Sequence, residues 1–189
     1  MRSEWGISEF KPAIRFVLLF LAIYVAGNSL YGVWIENTKP APDAATVTVS
    51  RQVSWLLSPV DQTVSTLNSE TEPVVMLRNQ HGPVLRVFEG CNGVNVMIVF
   101  VSFMIAIGGR FSNLAKFTIG GLLVIHVANL LRVFLLFITA IYQPRLFYYF
   151  HKYLFTAVLY AVVFALWYVW IEYFIVRPKK NASGYKSMD

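Results

Sequence analysis

The chain has 189 residues, of which 57% are hydrophobic and only 14% are charged, and its formal net charge is +6. This composition, with a mean hydropathy of +0.56, excludes an ordinary water-soluble domain and indicates an integral membrane protein in contact with lipid. The basic residues lie at the ends of apolar runs, as topology signals do, so we expect no nucleic-acid partner. The single cysteine excludes an intramolecular disulfide and a CxxC redox pair, and no cofactor is expected.

Four apolar runs predict transmembrane helices, because about 20 apolar residues are needed to cross a bilayer. They occupy residues 14–35, 91–109, 117–141 and 153–176. The first run is too long for the core of a signal peptide, and no small-residue cleavage site follows it, so we interpret it as a retained helix. Tyr31 and Trp34, near the end of this run, fit an aromatic belt at the outer interface.

Residues 36–90 form the one sizeable polar region, and they predict two elements. Apolar residues at helical spacing predict an amphipathic helix; they are Val49, Val53, Leu56, Leu57 and Val60, with Trp55 nearby. Pro59 is expected to end or bend this helix. Residues 74–77 and 84–88 flank a turn-rich stretch and predict a β-hairpin, with an exposed His81 at its tip.

The distribution of Lys and Arg predicts the orientation of the chain. These residues are concentrated in the amino-terminal residues 1–13, the loop 108–116 and the tail 177–189, which the positive-inside rule assigns to the cytoplasm. The region 36–90 and the loop 142–152 are then outside. The predicted fold is an all-α integral membrane protein with about four transmembrane helices, and with an extracytoplasmic amphipathic helix and β-hairpin inserted between the first two.

The only cysteine lies where the polar region meets the second apolar run, within the sequence Phe88-Glu89-Gly90-Cys91-Asn92-Gly93. The glycines give the backbone freedom to turn and leave space beside the sulfur. A helix that begins at Cys91 would direct its free N–H groups and positive dipole end toward the sulfur, which favours the reactive thiolate. The alternative is that Cys91 is an ordinary small apolar residue at a helix end.

The third apolar run carries His126, Asn129 and Arg132. An arginine inside a transmembrane helix costs at least ~2.5 kcal/mol on insertion scales, so Arg132 is a functional candidate, with Asn129 on the same helix face. Arg132 is roughly 24 Å and Cys91 roughly 27 Å above the inner boundary, which predicts that they lie at the same depth. A structural ion pair or outward snorkelling is the alternative for Arg132. For His126 we expect a hydrogen bond to a neighbouring helix.

His151 begins the fourth run among aromatic residues at the outer boundary. Measured from Arg177, it stands roughly 12 Å too high to meet Cys91, and an interfacial histidine is the alternative. The three residues together suit acyl transfer: Cys91 would attack a peptide carbonyl, and His151 would protonate the leaving amine and later activate an acceptor. Arg132 would stabilise the oxyanion or the thiolate. The supporting residues predicted for the pocket are Glu89, Asn92, Gly93, Asn95 and Asn129.

These motifs resemble the exosortase/archaeosortase family of membrane transpeptidases, especially its small Bacteroidetes-type members. The resembling features are Cys91-Asn92-Gly93 at the head of one span, Asn129-x-x-Arg132 in the next, and His151 at the start of the last. Asn92 stands where the family usually has serine, and the chain has room for fewer spans than many members.

The resemblance implies a cysteine peptidase or transpeptidase of the bacterial cytoplasmic (inner) membrane, with its active site facing the extracytoplasmic side. Its substrates would be exported proteins that end in a recognition motif, a transmembrane helix and a basic cluster. The cleaved product would pass through a thioester to an unidentified acceptor.

Three other classes of protein are alternatives to a transpeptidase. The main alternative is a non-enzymatic membrane assembly factor or small transporter, with Arg132 as a structural or substrate-binding charge. A metal site is disfavoured because His126 and His151 lie far apart in depth and no ligand pairs recur at helical spacing. A thiol oxidoreductase would need a second cysteine.

Overall fold

The computed structural model describes residues 7–177, and most of them are helical. The helices are α1 (Ile7–Thr38), α2 (Ala44–Leu57), α3 (Val94–Ile107), α4 (Phe111–Tyr142), α5 (Pro144–Tyr149) and α6 (Phe155–Trp170). A π-helical turn joins α5 to α6 (Phe150–Leu154), and a second follows α6 (Ile171–Val176). The strands are β1 (Ser65–Asn68), β2 (Val75–Asn79) and β3 (Gly82–Val87). The predictions for residues 1–6 and for the tail after residue 177 lie outside the described residues.

Three helical segments are each long and apolar enough to cross a membrane: Phe10–Thr38, Phe111–Tyr142 and Pro144–Val176. They indicate a membrane-embedded protein. The remaining apolar helix, α3, has only 14 residues, fewer than the predicted run 91–109. The three long segments extend beyond the predicted runs 14–35, 117–141 and 153–176.

The loop predicted at residues 142–152 is mostly helical. Its only break lies at Gln143, whose backbone (φ −138°, ψ 57°) leaves the helical region before Pro144. Proline disfavours the helical conformation of the residue before it but is well suited to the first turn of a new helix. The chain therefore changes direction at Gln143 and continues as one helical segment into α6.

The predicted β-hairpin is confirmed as β2 and β3, which pair antiparallel around the turn at Gly82 (φ +119°). A third strand, β1, pairs with β2 on the opposite side from β3. The sequence analysis missed β1 because its four residues, Ser-Thr-Leu-Asn, carry no apolar alternation.

The sheet and α2 pack on the carboxyl-terminal half of α4, in a cluster that we call the outer core. Its buried members are Val49, Val53, Leu57, Leu77, Leu85, Val87, Cys91, Val133, Leu136 and Phe137. The predicted amphipathic helix is confirmed, and it ends at Leu57, two residues before Pro59. Leu56 and Trp55 lie on its exposed side rather than in the core, and Val60 is exposed beyond the end of the helix.

A second cluster, the inner core, joins α3, α4 and α6. Its buried members are Val96, Phe100, Met104, Ile125, Leu159, Val163 and Trp170. The indole N–H of Trp170 donates a hydrogen bond to the carbonyl oxygen of Gly108 (3.3 Å), which fixes the level of α6 against the end of α3. Helix α1 packs chiefly along α3, where Gly27 approaches Ile98.

We expect Leu57→Ala to destabilise the protein and Leu56→Ala to have little effect. Leu57 is 0% exposed in the outer core, whereas its neighbour Leu56 is 37% exposed. Removing a buried leucine side chain costs about 2–5 kcal/mol of the free energy of unfolding. The melting temperatures of the two variants in one detergent test this. Equal losses would contradict the packing of α2 described above.

Candidate active site

Cys91 ends a short turn between β3 and α3. The turn is a 3₁₀ helix over Glu89–Cys91, and the Cys91 N–H donates to the carbonyl oxygen of Phe88 (2.7 Å). Gly93 then adopts φ +85°, and α3 begins at Val94. The prediction that a helix begins at Cys91 is therefore wrong, because the left-handed backbone of Gly93 separates the cysteine from α3.

Asn129 of α4 joins this turn directly. Its side-chain Nδ2 donates a hydrogen bond to the carbonyl oxygen of Cys91 (3.0 Å), and both groups are buried. The α carbon of Gly93 lies so close that a Cβ there would be 3.0 Å from Cγ of Asn129. The predicted match in depth between Cys91 and the Asn129–Arg132 segment is thus confirmed.

The surroundings of Cys91 favour the neutral thiol, contrary to prediction. Cys91 lies in the turn before α3, and it is only 5% exposed. Burial raises the pKa of its thiol above the ordinary value, and the charge of Glu89 adds to this increase. The positive charge of Arg132 acts in the opposite direction without reversing the shift. The prediction of a thiolate stabilised by a helix N-terminus is therefore wrong for this turn, which favours the protonated thiol.

His151 lies in the π-helical turn Phe150–Leu154. Phe147 and Phe155, one turn before and one turn after it, both pack against the outer core that contains Cys91. The ring centroid of Phe147 is 5.7 Å from that of His151. This face of the helical segment is therefore directed toward the core around Cys91. π-helical turns inside α-helices occur frequently at functional sites.

The contact between Trp170 and Gly108 resolves the predicted mismatch in height. It shows that Trp170, and not Arg177, is level with the inner end of α3. Measured from this level, His151 is roughly 28 Å away and Cys91 roughly 26 Å away along ideal helices. Arg132 is close enough to act electrostatically on both the Cys91 thiol and the His151 imidazole. Arg132 thus lies within electrostatic range of both other predicted residues, and Asn129 of the same helix contacts the backbone of Cys91.

Several polar atoms around this site are buried without a hydrogen-bond partner in the described part of the chain. They are Nε of Arg132, Nδ1 of His151 and Oδ1 of Asn129. A buried polar group without a partner costs about 1–3 kcal/mol, and such groups are rare in folded proteins. Three of them on two adjacent helical segments mark a place that is suited to bind a polar group of another molecule.

The supporting residues predicted for the pocket occupy different environments. Gly93 and Asn129 form the contact with the cysteine turn, and Glu89 is half-buried within that turn. Asn95 lies on an exposed face of α3. Asn92 is 1% exposed, and its Oδ1 accepts a hydrogen bond from the backbone N–H of Val94 (3.0 Å).

The Nδ2 of Asn92 belongs to a buried polar network with α1 and α2. It donates to the hydroxyls of Tyr31 (2.6 Å) and Thr46 (3.0 Å), and it lies 3.5 Å from Oδ1 of Asp43. The same Asp43 oxygen caps α2 by accepting from the N–H groups of Ala45 and Thr46. This network holds the turn beside Cys91 against two other helices.

Sequence reasoning missed Asp43, Thr46 and Tyr31. Asp43 carries a local signal, since an aspartate before a helical pattern is a strong N-cap residue. Tyr31 was predicted to lie in an aromatic belt, but it is 8% exposed and bonded to Asn92. A contact across 61 residues has no local signature.

The other two histidines lie apart from this site. Nε2 of His126 is 2.9 Å from Oε1 of Gln52 in α2, which confirms the predicted hydrogen bond to a neighbouring helix. His81 is exposed at the β2–β3 turn, as predicted.

The arrangement has the parts needed for nucleophilic acyl chemistry: a thiol, an imidazole and a fixed cation on three elements. No protein-family model matches the chain, and no curated protein or solved structure does so either.

The pH profile of Cys91 alkylation by a small maleimide should report the two charged residues that act on the pKa of the thiol, Arg132 and Glu89. The rate depends on the thiolate, so it should rise about tenfold per pH unit below the pKa. Removing the opposing charge in Arg132→Gln should move the midpoint of the profile to higher pH. Removing the like charge in Glu89→Gln should move it to lower pH, because Glu89 raises the pKa.

Access to the buried sulfur changes the rate at every pH by the same factor. The midpoint of each variant's own pH profile therefore does not depend on it. Cys91→Ala gives the background rate, since the chain has no other cysteine. Shifts of the same sign in both charge variants would contradict the geometry of the site.

Proposed function

We propose that the protein is a membrane-embedded cysteine transpeptidase or protease of the exosortase type. The proposal is supported by the contact of Asn129 with the Cys91 backbone, which places Arg132 near the cysteine turn, and by the nearness of Arg132 to His151. The charge of Arg132 acts on the other two side chains, and buried polar atoms of Arg132 and His151 lack partners among residues 7–177. The motif resemblance adds the substrate class: exported proteins that end in a recognition motif, a transmembrane helix and a basic cluster.

The buried thiol suggests how the reaction begins. Because burial favours the neutral form of Cys91, His151 takes the thiol proton as the sulfur attacks the scissile carbonyl carbon. The C–S bond forms and the carbonyl oxygen becomes an oxyanion, which the guanidinium of Arg132 stabilises. The tetrahedral intermediate then expels the amine, which receives the proton held by His151, and a thioester remains on Cys91.

The second half-reaction reverses these roles. An acceptor amine, or water, loses a proton to His151 and attacks the thioester carbonyl. Collapse of the second intermediate releases the new amide or acid, and the Cys91 sulfur regains the proton from His151. Asn129 acts as a positioning residue in this scheme, since its amide holds the Cys91 carbonyl. No cofactor takes part in either step.

The proposed membrane arrangement has four spans, with α3 as the second and with both chain ends in the cytoplasm. Helix α3 is short, but the turn before it is covered by α2 and the sheet, so the polar atoms at its outer end need not face lipid. The active site would then lie on the extracytoplasmic side of the bacterial inner membrane, where an exported substrate is cleaved.

Labelling of single cysteines tests this orientation. In a Cys91→Ala background, Ser65→Cys and Leu146→Cys should react with an impermeant maleimide in spheroplasts, and Asn113→Cys only after permeabilisation. All three positions are exposed. The same accessibility for Ser65→Cys and Asn113→Cys would contradict the proposed topology. A further expected cytoplasmic position, residue 185, lies outside the described residues.

Substitution of the three central residues tests the reaction. Cys91→Ala and His151→Ala should accumulate the full-length substrate, while His126→Ala is the matched control because its partner is Gln52. Arg132→Lys should keep the charge and the fold but lose most turnover, since an ammonium cannot present two parallel donors. Loss of one oxyanion donor in other enzymes costs on the order of 10²–10³ in rate.

The measurement is the mass of the new carboxyl terminus of a co-expressed exported protein that carries the three-part signal, together with the folded yield of each variant. Normal processing of the substrate by Cys91→Ala would exclude Cys91 as the nucleophile and contradict the proposed mechanism. A fully active Arg132→Lys variant would contradict the role of Arg132 in stabilising the oxyanion and would leave it only a structural role. Loss of folded protein, rather than loss of turnover, in all central variants would favour the non-enzymatic assembly factor or small transporter.

A further inference from the structure

Two basic residues lie on one face of α1, at the end of the molecule opposite Cys91. Lys11 and Arg15 are four residues apart, and both are exposed. Neither forms an ion pair with a carboxylate among the described side chains. Opposite them lie Ile107, the last residue of α3, and Gly108, which are level with Trp170. The two basic side chains therefore lie level with the end of the inner core that contains Trp170.

An open groove of about 870 Å³ begins at this basic pair and lies between α1, α3 and the end of the last helical segment. Its apolar walls include Phe16, Leu19, Phe103 and Ile171. The groove exists because α1 packs chiefly on α3 and does not close against the last segment. Its volume is within the range of about 300–1,000 Å³ that ligand sites occupy.

A second, shallow groove, of about 530 Å³, follows the neighbouring face of α1 and is lined by residues of α1 alone. It is lined by Ile14, Leu18 and Ala22 and again by Lys11, Arg15 and Leu19. The basic pair thus heads two apolar grooves that run side by side toward the middle of the membrane. This surface is complementary in shape and charge to a molecule with one anionic head and two hydrocarbon chains.

We infer that this surface binds an anionic phospholipid, with its phosphate on Lys11 and Arg15 and its acyl chains in the two grooves. Basic clusters at the cytoplasmic ends of transmembrane helices attract anionic headgroups, and apolar walls cover the chains. A zwitterionic lipid fits the grooves equally well, but its headgroup has no net charge to match the pair. The site is independent of the proposed catalytic function, because α3 separates it from Cys91.

The direct test is native mass spectrometry of the detergent-purified full chain, titrated with dioleoyl-phosphatidylglycerol or dioleoyl-phosphatidylcholine. The wild type should bind phosphatidylglycerol more tightly. Lys11→Gln with Arg15→Gln should weaken phosphatidylglycerol binding on the order of 30-fold, at about fivefold per surface cation, and leave phosphatidylcholine unchanged. The matched control, Arg110→Gln with Lys116→Gln, removes two basic residues that do not line either groove and should keep the preference.

Two further measurements keep the test decisive if the double variant inserts poorly. Ala106→Phe keeps both cations but fills the first groove, and it should also weaken phosphatidylglycerol binding. A p-benzoylphenylalanine at position 105, an exposed residue of the same groove, should cross-link phospholipid when the membrane is illuminated. Cross-linking to a terminal segment of the chain or to a second copy would overturn the proposal. An equal loss of binding in the Arg110/Lys116 control would also overturn it.

Discussion

The hydrogen bond from Asn129 to the carbonyl oxygen of Cys91 is the contact on which the candidate site depends. It requires glycine at position 93, where φ is +85° and a Cβ would press on the Asn129 side chain. It also sets the register between the cysteine turn and α4, because Arg132 follows Asn129 by less than one helical turn. The cysteine is thus positioned through its backbone as well as by the packing of its side chain in the outer core.

Burial then determines what chemistry this thiol supports. A thiol in a dry cluster of valine, leucine and phenylalanine side chains stays neutral at ordinary pH, so a nearby base has to remove its proton. The same low dielectric strengthens any interaction between a developing oxyanion and Arg132. A thiol in such a site reacts slowly with water-borne reagents, and the proposed acyl transfer needs both a carbonyl group and the imidazole in place.

Much of this architecture could be predicted from hydropathy and turn residues, because those signals are local. The apolar helices, the hairpin and the common depth of Cys91 and Arg132 all follow from counting residues along regular elements. The features that were missed depend on tertiary contacts or on weak local patterns. Tyr31 is drawn into the protein by Asn92, and β1 has no sequence alternation of its own. The height of His151 could not be fixed until the contact of Trp170 with Gly108 was known.

Helix α4 connects the two halves of the molecule, and its length explains where the site lies. Its 32 residues span roughly 48 Å, well beyond a hydrocarbon layer of about 30 Å. The amino-terminal half packs in the inner core with α3 and α6, and the carboxyl-terminal half carries α2 and the sheet. Asn129 and Arg132 lie at the junction of these halves. In the proposed reaction, a substrate's cleavage site just beyond its transmembrane helix would meet the protein at this level, where the membrane-spanning helices adjoin α2 and the sheet.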